Sequence, residues 1–319
     1  MPGKPQSLTW PSNRAVLLVH GVGNAKPGDY QDLVGLLKTA LGPEADQFAI
    51  YQLFYNSINN WFKEKTALAD RIQQLLTALK MGVNDAALSE AVAEYAGDVL
   101  WPVLSTSARS AVRQAYLAQL KQIVLDGIGA GVLRVDQRIT IVAHSLGCFY
   151  TYEVLHTAAT FVSHRLQPRT HAVRFANVIL MASPVQLIRS AGEVLGPAVP
   201  NKNDLAVFDE AGLAIPAETH AGGTTTSTDN WISITGELDP VGGWFFRRKA
   251  PWAYMDIPGQ RSIIDPQTLL DIGSKADLAK LLAESVFEKK PPDLSISNPH
   301  SWEGYVARHE QELRQWLTA

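Results

Sequence analysis

Residues 138–147, Arg-Ile-Thr-Ile-Val-Ala-His-Ser-Leu-Gly, join an apolar, β-branched run directly to a small-x-Ser-x-Gly turn, and a helical stretch follows at once. A strand that is apolar at nearly every position is buried on both faces, as in a parallel sheet covered by helices. Further strand-like runs, near 14–19, 48–54, 175–182 and 230–235, are separated by segments long enough for crossover helices. The chain is therefore expected to be α/β, with a mainly parallel, doubly wound sheet. Helices are expected at 29–41, 146–159, 267–286 and 302–317, and residues 252–257 are a candidate edge strand. No internal repeat is present.

The turn carries chemistry as well as topology. A serine hydroxyl is a poor nucleophile until a base removes its proton, and a tight strand-to-helix turn holds Oγ where a base and a substrate can reach it. Ser145 is thus a candidate nucleophile. Ala143 and Gly147 flank it with small side chains, where a larger one would collide with the neighbouring strand or the start of the helix. The alternative is an ordinary βα turn with a capping serine. A second run, Ala15 to Val19, ends in His20-Gly21-Val22-Gly23-Asn24, where glycine lets the backbone approach a ligand. Acyl transfer places negative charge on a carbonyl oxygen, and preorganised backbone N–H groups stabilise it. Val22 and Leu146 are the candidate oxyanion donors. His20 and His144 lie close to the candidate site as residues that line its pocket. The alternative for the first loop is a glycine turn after a core strand.

Two later segments complete a pattern. Residues 231–235 alternate as a strand and lead into Gly236-Glu237-Leu238-Asp239-Pro240-Val241, and Ser297-Asn298-Pro299-His300-Ser301-Trp302 is a turn-rich loop before an amphipathic helix. Together with His20-Gly21-Val22 and Ala143-His144-Ser145-Leu146-Gly147, these segments resemble the α/β-hydrolases of the lipase and esterase kind. The Ala-His-Ser-Leu-Gly form resembles bacterial lipases, in which alanine also replaces the first glycine. The resemblance spans residues 14–302 and implies the α/β-hydrolase fold with chain order serine, acid, histidine. It assigns Asp239 as the acid and His300 as the base, and implies carboxylic-ester hydrolysis through an acyl-enzyme without a cofactor. Glu237 remains an alternative acid, since Asp239 also suits the start of an Asp-Pro turn. His309 falls inside the last helix, where Trp302, Val306 and Leu313 mark the apolar side, and is expected to pack or to face solvent. The same triad serves phospholipases and acyltransferases, and the fold also hosts catalytically silent binding scaffolds.

Composition narrows the remainder. With 319 residues, 46% of them hydrophobic, the chain can bury a large core as one domain carrying an insertion. A net charge of −3 and the absence of a basic stripe with interleaved aromatics argue against a nucleic-acid partner. The single cysteine, Cys148, allows no intramolecular disulfide; it is expected as a small buried apolar residue, or alternatively as a redox-sensitive thiol. No Cys/His cluster suggests a metal site. No apolar run approaches the ~20 residues of a membrane helix, and no signal-length apolar stretch precedes the first strand, so a cytoplasmic location is expected.

Three segments have two readings each. Residues 60–126 read as three helices, the last with Ala108, Val112, Ala115, Leu117, Leu120 and Val124 on one face and Gly127 as its stop. They form a helical insertion that either caps an acyl pocket or pads the sheet, with a dimer interface as one use of the padding. Residues 185–229, with the polar tract Gly222 to Thr228, form a lid or a linker. Trp244, Phe245 and Phe246, followed by Arg247, Arg248 and Lys249, either touch a lipid surface or cover the core as a hairpin.

Overall fold

The computed structural model describes residues 5–21, 27–55, 58, 106–155, 175–184, 217–220, 223–226, 228–236, 260–265 and 302–318. Strands β1 (Arg14–Val19), β2 (Phe48–Leu53), β3 (Arg138–His144) and β4 (Phe175–Met181) form where the apolar runs lie. A short pair, β5 (Ala217–His220) and β6 (Gly223–Thr226), precedes β7 (Thr228–Gly236) and β8 (Gln260–Asp265). Six of these strands make one sheet in the order β2-β1-β3-β4-β7-β8, and every pairing in it is parallel. The expected α/β class with a parallel, doubly wound sheet is thereby observed.

Helices cover both faces, because every central strand is apolar on both. On one face Leu17, Val19, Tyr51, Ile141 and Val178 meet α2 (Thr106–Gly129) and the helix α3 at 146–155. On the other, Val16, Leu18, Ile50, Val142 and Ile179 meet α1 (Pro27–Leu41), α4 (Trp302–Arg308) and α5 (Glu310–Thr318). In α1 the residues Leu33, Leu37, Ala40 and Leu41 recur at helical spacing and are buried.

Several local expectations are corrected. The helix α2 runs past Gly127 and stops at Gly131, whose φ is +84°. There Gly131 N–H donates to the Ile128 carbonyl and Val132 N–H to that of Gly127, a Schellman cap. Gly127 serves another purpose, since a Cβ there would lie 2.6 Å from Gln137 Nε2. The last helix breaks at His309 into α4 and α5, although His309 N–H still bonds Tyr305 and Leu313 N–H still bonds His309. His309 itself is buried and packs. Within the tract taken as lid or linker, β6 pairs antiparallel with β5, as its threonine run favours. The candidate edge strand 252–257 and helix 267–286 lie outside the described residues, as do 60–105 of the insertion and 156–159 of the expected helix 146–159. β8, at 260–265, is the last strand of the described sheet beyond β7.

An N-terminal arm closes the first face. Asp126 of α2 accepts hydrogen bonds from Leu8 N–H, Ser7 Oγ, Gln122 Nε2 and the Tyr51 hydroxyl, each at 2.7–2.8 Å. Trp10 Nε1 donates to the same tyrosine oxygen at 2.8 Å. Burial pushes the Asp126 carboxyl upward, but the donors around it outweigh this and hold it below the usual carboxylate range. Burial and that carboxylate push the Tyr51 hydroxyl up.

Candidate functional site

The strand order reverses at β1. The chain passes from β1 to β2 on one side and later places β3 on the other, so the crevice at the C-terminal ends of β1 and β3 is the topological switch point. The loop beginning His20-Gly21 leaves one strand there, and Ser145 leaves the other.

Ser145 follows β3 in the left-handed region, with φ of +53°. That conformation costs a non-glycine residue about 1–3 kcal/mol and persists only where its surroundings impose it. Three contacts do so. Ser145 N–H donates to the Met181 carbonyl at 2.9 Å, extending the β3–β4 ladder by one residue. Its own carbonyl accepts from Cys148 N–H at 2.9 Å, which opens α3. Gly147, two residues on, is packed so tightly that a Cβ would lie 2.4 Å from the Val19 carbonyl oxygen and 2.6 Å from that of His20. The small residue expected at this position is required by the backbone of β1.

Gly21 faces the serine from across the crevice. A Cβ on it would lie 2.6 Å from Ser145 Cβ and 3.1 Å from Oγ, so the loop touches the hydroxyl through bare backbone. Leu146, the first residue of α3, is buried beside them. The His144 side chain lies on the opposite face of the sheet, its ring 5.8 Å from that of Trp302 and 6.1 Å from that of Tyr305. It joins the turn to α4. His20 contributes its carbonyl oxygen, which accepts a hydrogen bond from the Tyr55 hydroxyl. Val22, Asp239, the alternative Glu237, and His300 lie outside the described residues, and so do Trp244, Phe245 and Phe246.

The helix behind Ser145 is clamped to α2. Arg109 and Glu153 form an ion pair at 3.1 Å with side chains only 8% and 6% exposed. Thr151 gives its one proton to the Gly147 carbonyl at 2.8 Å, so Tyr116, 2.9 Å away, is the donor to Thr151. The end of the insertion thus pads the sheet and braces α3. Cys148 is buried, with Sγ 3.2 Å from the Met181 carbonyl.

Sequence reading missed two residues here. Ala182 ends β4 with φ of +55°, and an alanine gives no signal of that. Tyr55 was detectable only as the continuation of the Tyr51-Leu53 alternation beyond β2. Among the described residues no group of His, Cys, Asp and Glu is arranged to hold a metal, and no helix is long and apolar enough to cross a membrane. No protein-family model matches the chain, and no curated protein matches it.

Proposed function

We propose that the chain is an α/β-hydrolase-fold carboxylic-ester hydrolase acting through an acyl-enzyme on Ser145. One observation carries this reading: a serine held at positive φ at the switch point, with a glycine backbone packed against its hydroxyl. Such strain recurs at sites where a side chain must be presented to a ligand.

In the proposed cycle His300 removes the Ser145 proton as Oγ bonds to the acyl carbon, and the carbonyl oxygen becomes an oxyanion. The N–H groups of Val22 and Leu146 stabilise that charge. His300 then delivers the proton to the departing alcohol, leaving an ester on Ser145. Asp239 accepts the other imidazole N–H and sets the tautomer. Water, deprotonated by His300, attacks the acyl carbon and regenerates the serine.

Two constraints support the partners. Position 300 is two residues from Trp302, a chain length of at most about 7 Å, and Trp302 packs on the side chain of His144, the residue that precedes the serine. Asp239 is three residues beyond Gly236, where β7 ends two strands from β3, about 10 Å across the sheet. Purified Ser145→Ala is expected to lose hydrolysis of aryl esters and labelling by a fluorophosphonate. Full hydrolysis by that variant refutes the reading.

A further inference from the structure

Tyr55 lies two residues beyond β2, fully buried, with its ring edge-on to Tyr150 at 4.9 Å. Its hydroxyl donates into the loop after β1. The His20 carbonyl oxygen lies closest, and the Gly21 carbonyl oxygen lies at 3.1 Å.

Successive carbonyls of an extended strand point to opposite edges. Here two successive ones converge on a single hydroxyl, so the loop leaves strand geometry at His20. Because a peptide is planar and trans, the Gly21 N–H points away from Tyr55, and a hydrogen bond that fixes the Gly21 carbonyl restricts the plane of the peptide after it. Val22, which shares that peptide, is the proposed oxyanion donor. Gly21 is the residue whose backbone lies against Ser145.

We infer that Tyr55 is a positioning residue that orients the oxyanion loop. This rests on the acyl-enzyme reading above. The phenol does not touch the substrate; it holds the carbonyl side of two peptides so that their N–H side is set before an oxyanion forms. Preorganisation of this kind acts on the transition state more than on the bound ester.

The test is Tyr55→Phe, which keeps the ring against Tyr150 and deletes the hydroxyl, assayed beside Ser145→Ala and Tyr51→Phe. Tyr51 also loses a buried phenolic hydrogen bond in its variant, but that bond serves Asp126 in the N-terminal arm. Removing an oxyanion donor outright lowers kcat about 10²–10³-fold, so misorienting one is expected to lower it about 10–100-fold with KM held within about threefold. Fluorophosphonate labelling of Ser145 slows in parallel, while Tyr51→Phe keeps the wild-type kcat despite its lower melting temperature. A kcat for folded Tyr55→Phe within about twofold of wild type, with Ser145→Ala inactive, overturns the role of Tyr55 and leaves the acyl-enzyme reading standing. Hydrolysis persisting in Ser145→Ala overturns both. Should Tyr55→Phe fail to fold, Tyr55→Gln, which returns an N–H donor to the buried carbonyls, is compared with Tyr55→Leu, which returns none: the role of Tyr55 predicts a kcat about tenfold or more higher for Tyr55→Gln at similar KM, and equal kcat values overturn it.

Discussion

Two neighbouring strands, β3 and β4, end in turns of the same backbone geometry. Ser145 and Ala182 have φ of +53° and +55°, and each donates its N–H to a carbonyl of the next strand, Met181 or Ile234, at 2.9 and 3.0 Å. Their surroundings differ. Ser145 has the bare backbone of Gly21 against its hydroxyl and Gly147 pressed on β1, whereas Ala182 is fully buried in the apolar cluster that covers the other face of the sheet. Strain alone therefore does not mark chemistry in this sheet. The distinguishing feature is a glycine that brings a second strand's loop to the strained side chain at the point where strand order reverses.

The sharpest way to break this comparison is to exchange the side chains. Ser145→Ala is expected to lower kcat/KM by about 10⁴-fold or more, and adding Ala182→Ser in that background restores neither hydrolysis nor fluorophosphonate labelling, because among the described residues no glycine backbone lies against the second turn. Recovered labelling would show that the backbone turn suffices.

The next largest effect concerns packing. In Gly147→Ala the new methyl meets backbone rather than a movable side chain, so a loss of about 3 kcal/mol in denaturant unfolding is expected. Unchanged stability would mean that α3 can shift away from β1 and that the turn is less tightly imposed than its contacts indicate.

A region touching neither turn supplies a control. Asp126 has its carboxyl held below the usual range, so its contribution is present above the ordinary Asp value of about 4 and is lost as pH falls through the lowered one. The melting-temperature gap between wild type and Asp126→Asn is expected to narrow below about pH 4, and a gap constant down to that range and beyond contradicts the assignment. Smallest of all, Ala182→Gly relieves the left-handed conformation but frees the unfolded chain, and is expected to change stability by less than about 1 kcal/mol without altering kcat.

The parts of this fold legible in the sequence are those set by burial on both faces. Val16 to Val19 and Val178 to Met181 are continuous apolar runs, Ile139 to Ala143 is broken only by the buried Thr140, and all three fall in strands with ends displaced by a residue or less. The edge was not legible. Gln260-Arg261-Ser262-Ile263-Ile264-Asp265 has too few apolar positions to stand out, and among the described strands it pairs only with β7. The stop of α2 is not readable from sequence because Gly127, Gly129 and Gly131 alternate there, and only the cap's hydrogen bonds distinguish Gly131, at positive φ, from Gly127, which admits Gln137. At the site, Ser145, Gly21 and Gly147 could be read because small residues at fixed offsets report a close approach. Tyr55 could not, because its partners are carbonyl oxygens, which every residue carries.

The position of β1 has a consequence in time. Its two neighbours are β2, about 30 residues later, and β3, roughly 120 residues later. At a synthesis rate of about 5–20 residues per second, this apolar strand waits on the order of ten seconds beside the ribosome with one edge unmatched. Nascent chains of this protein are therefore expected to depend on holding factors during that interval, until the segment bearing the serine arrives to close the gap.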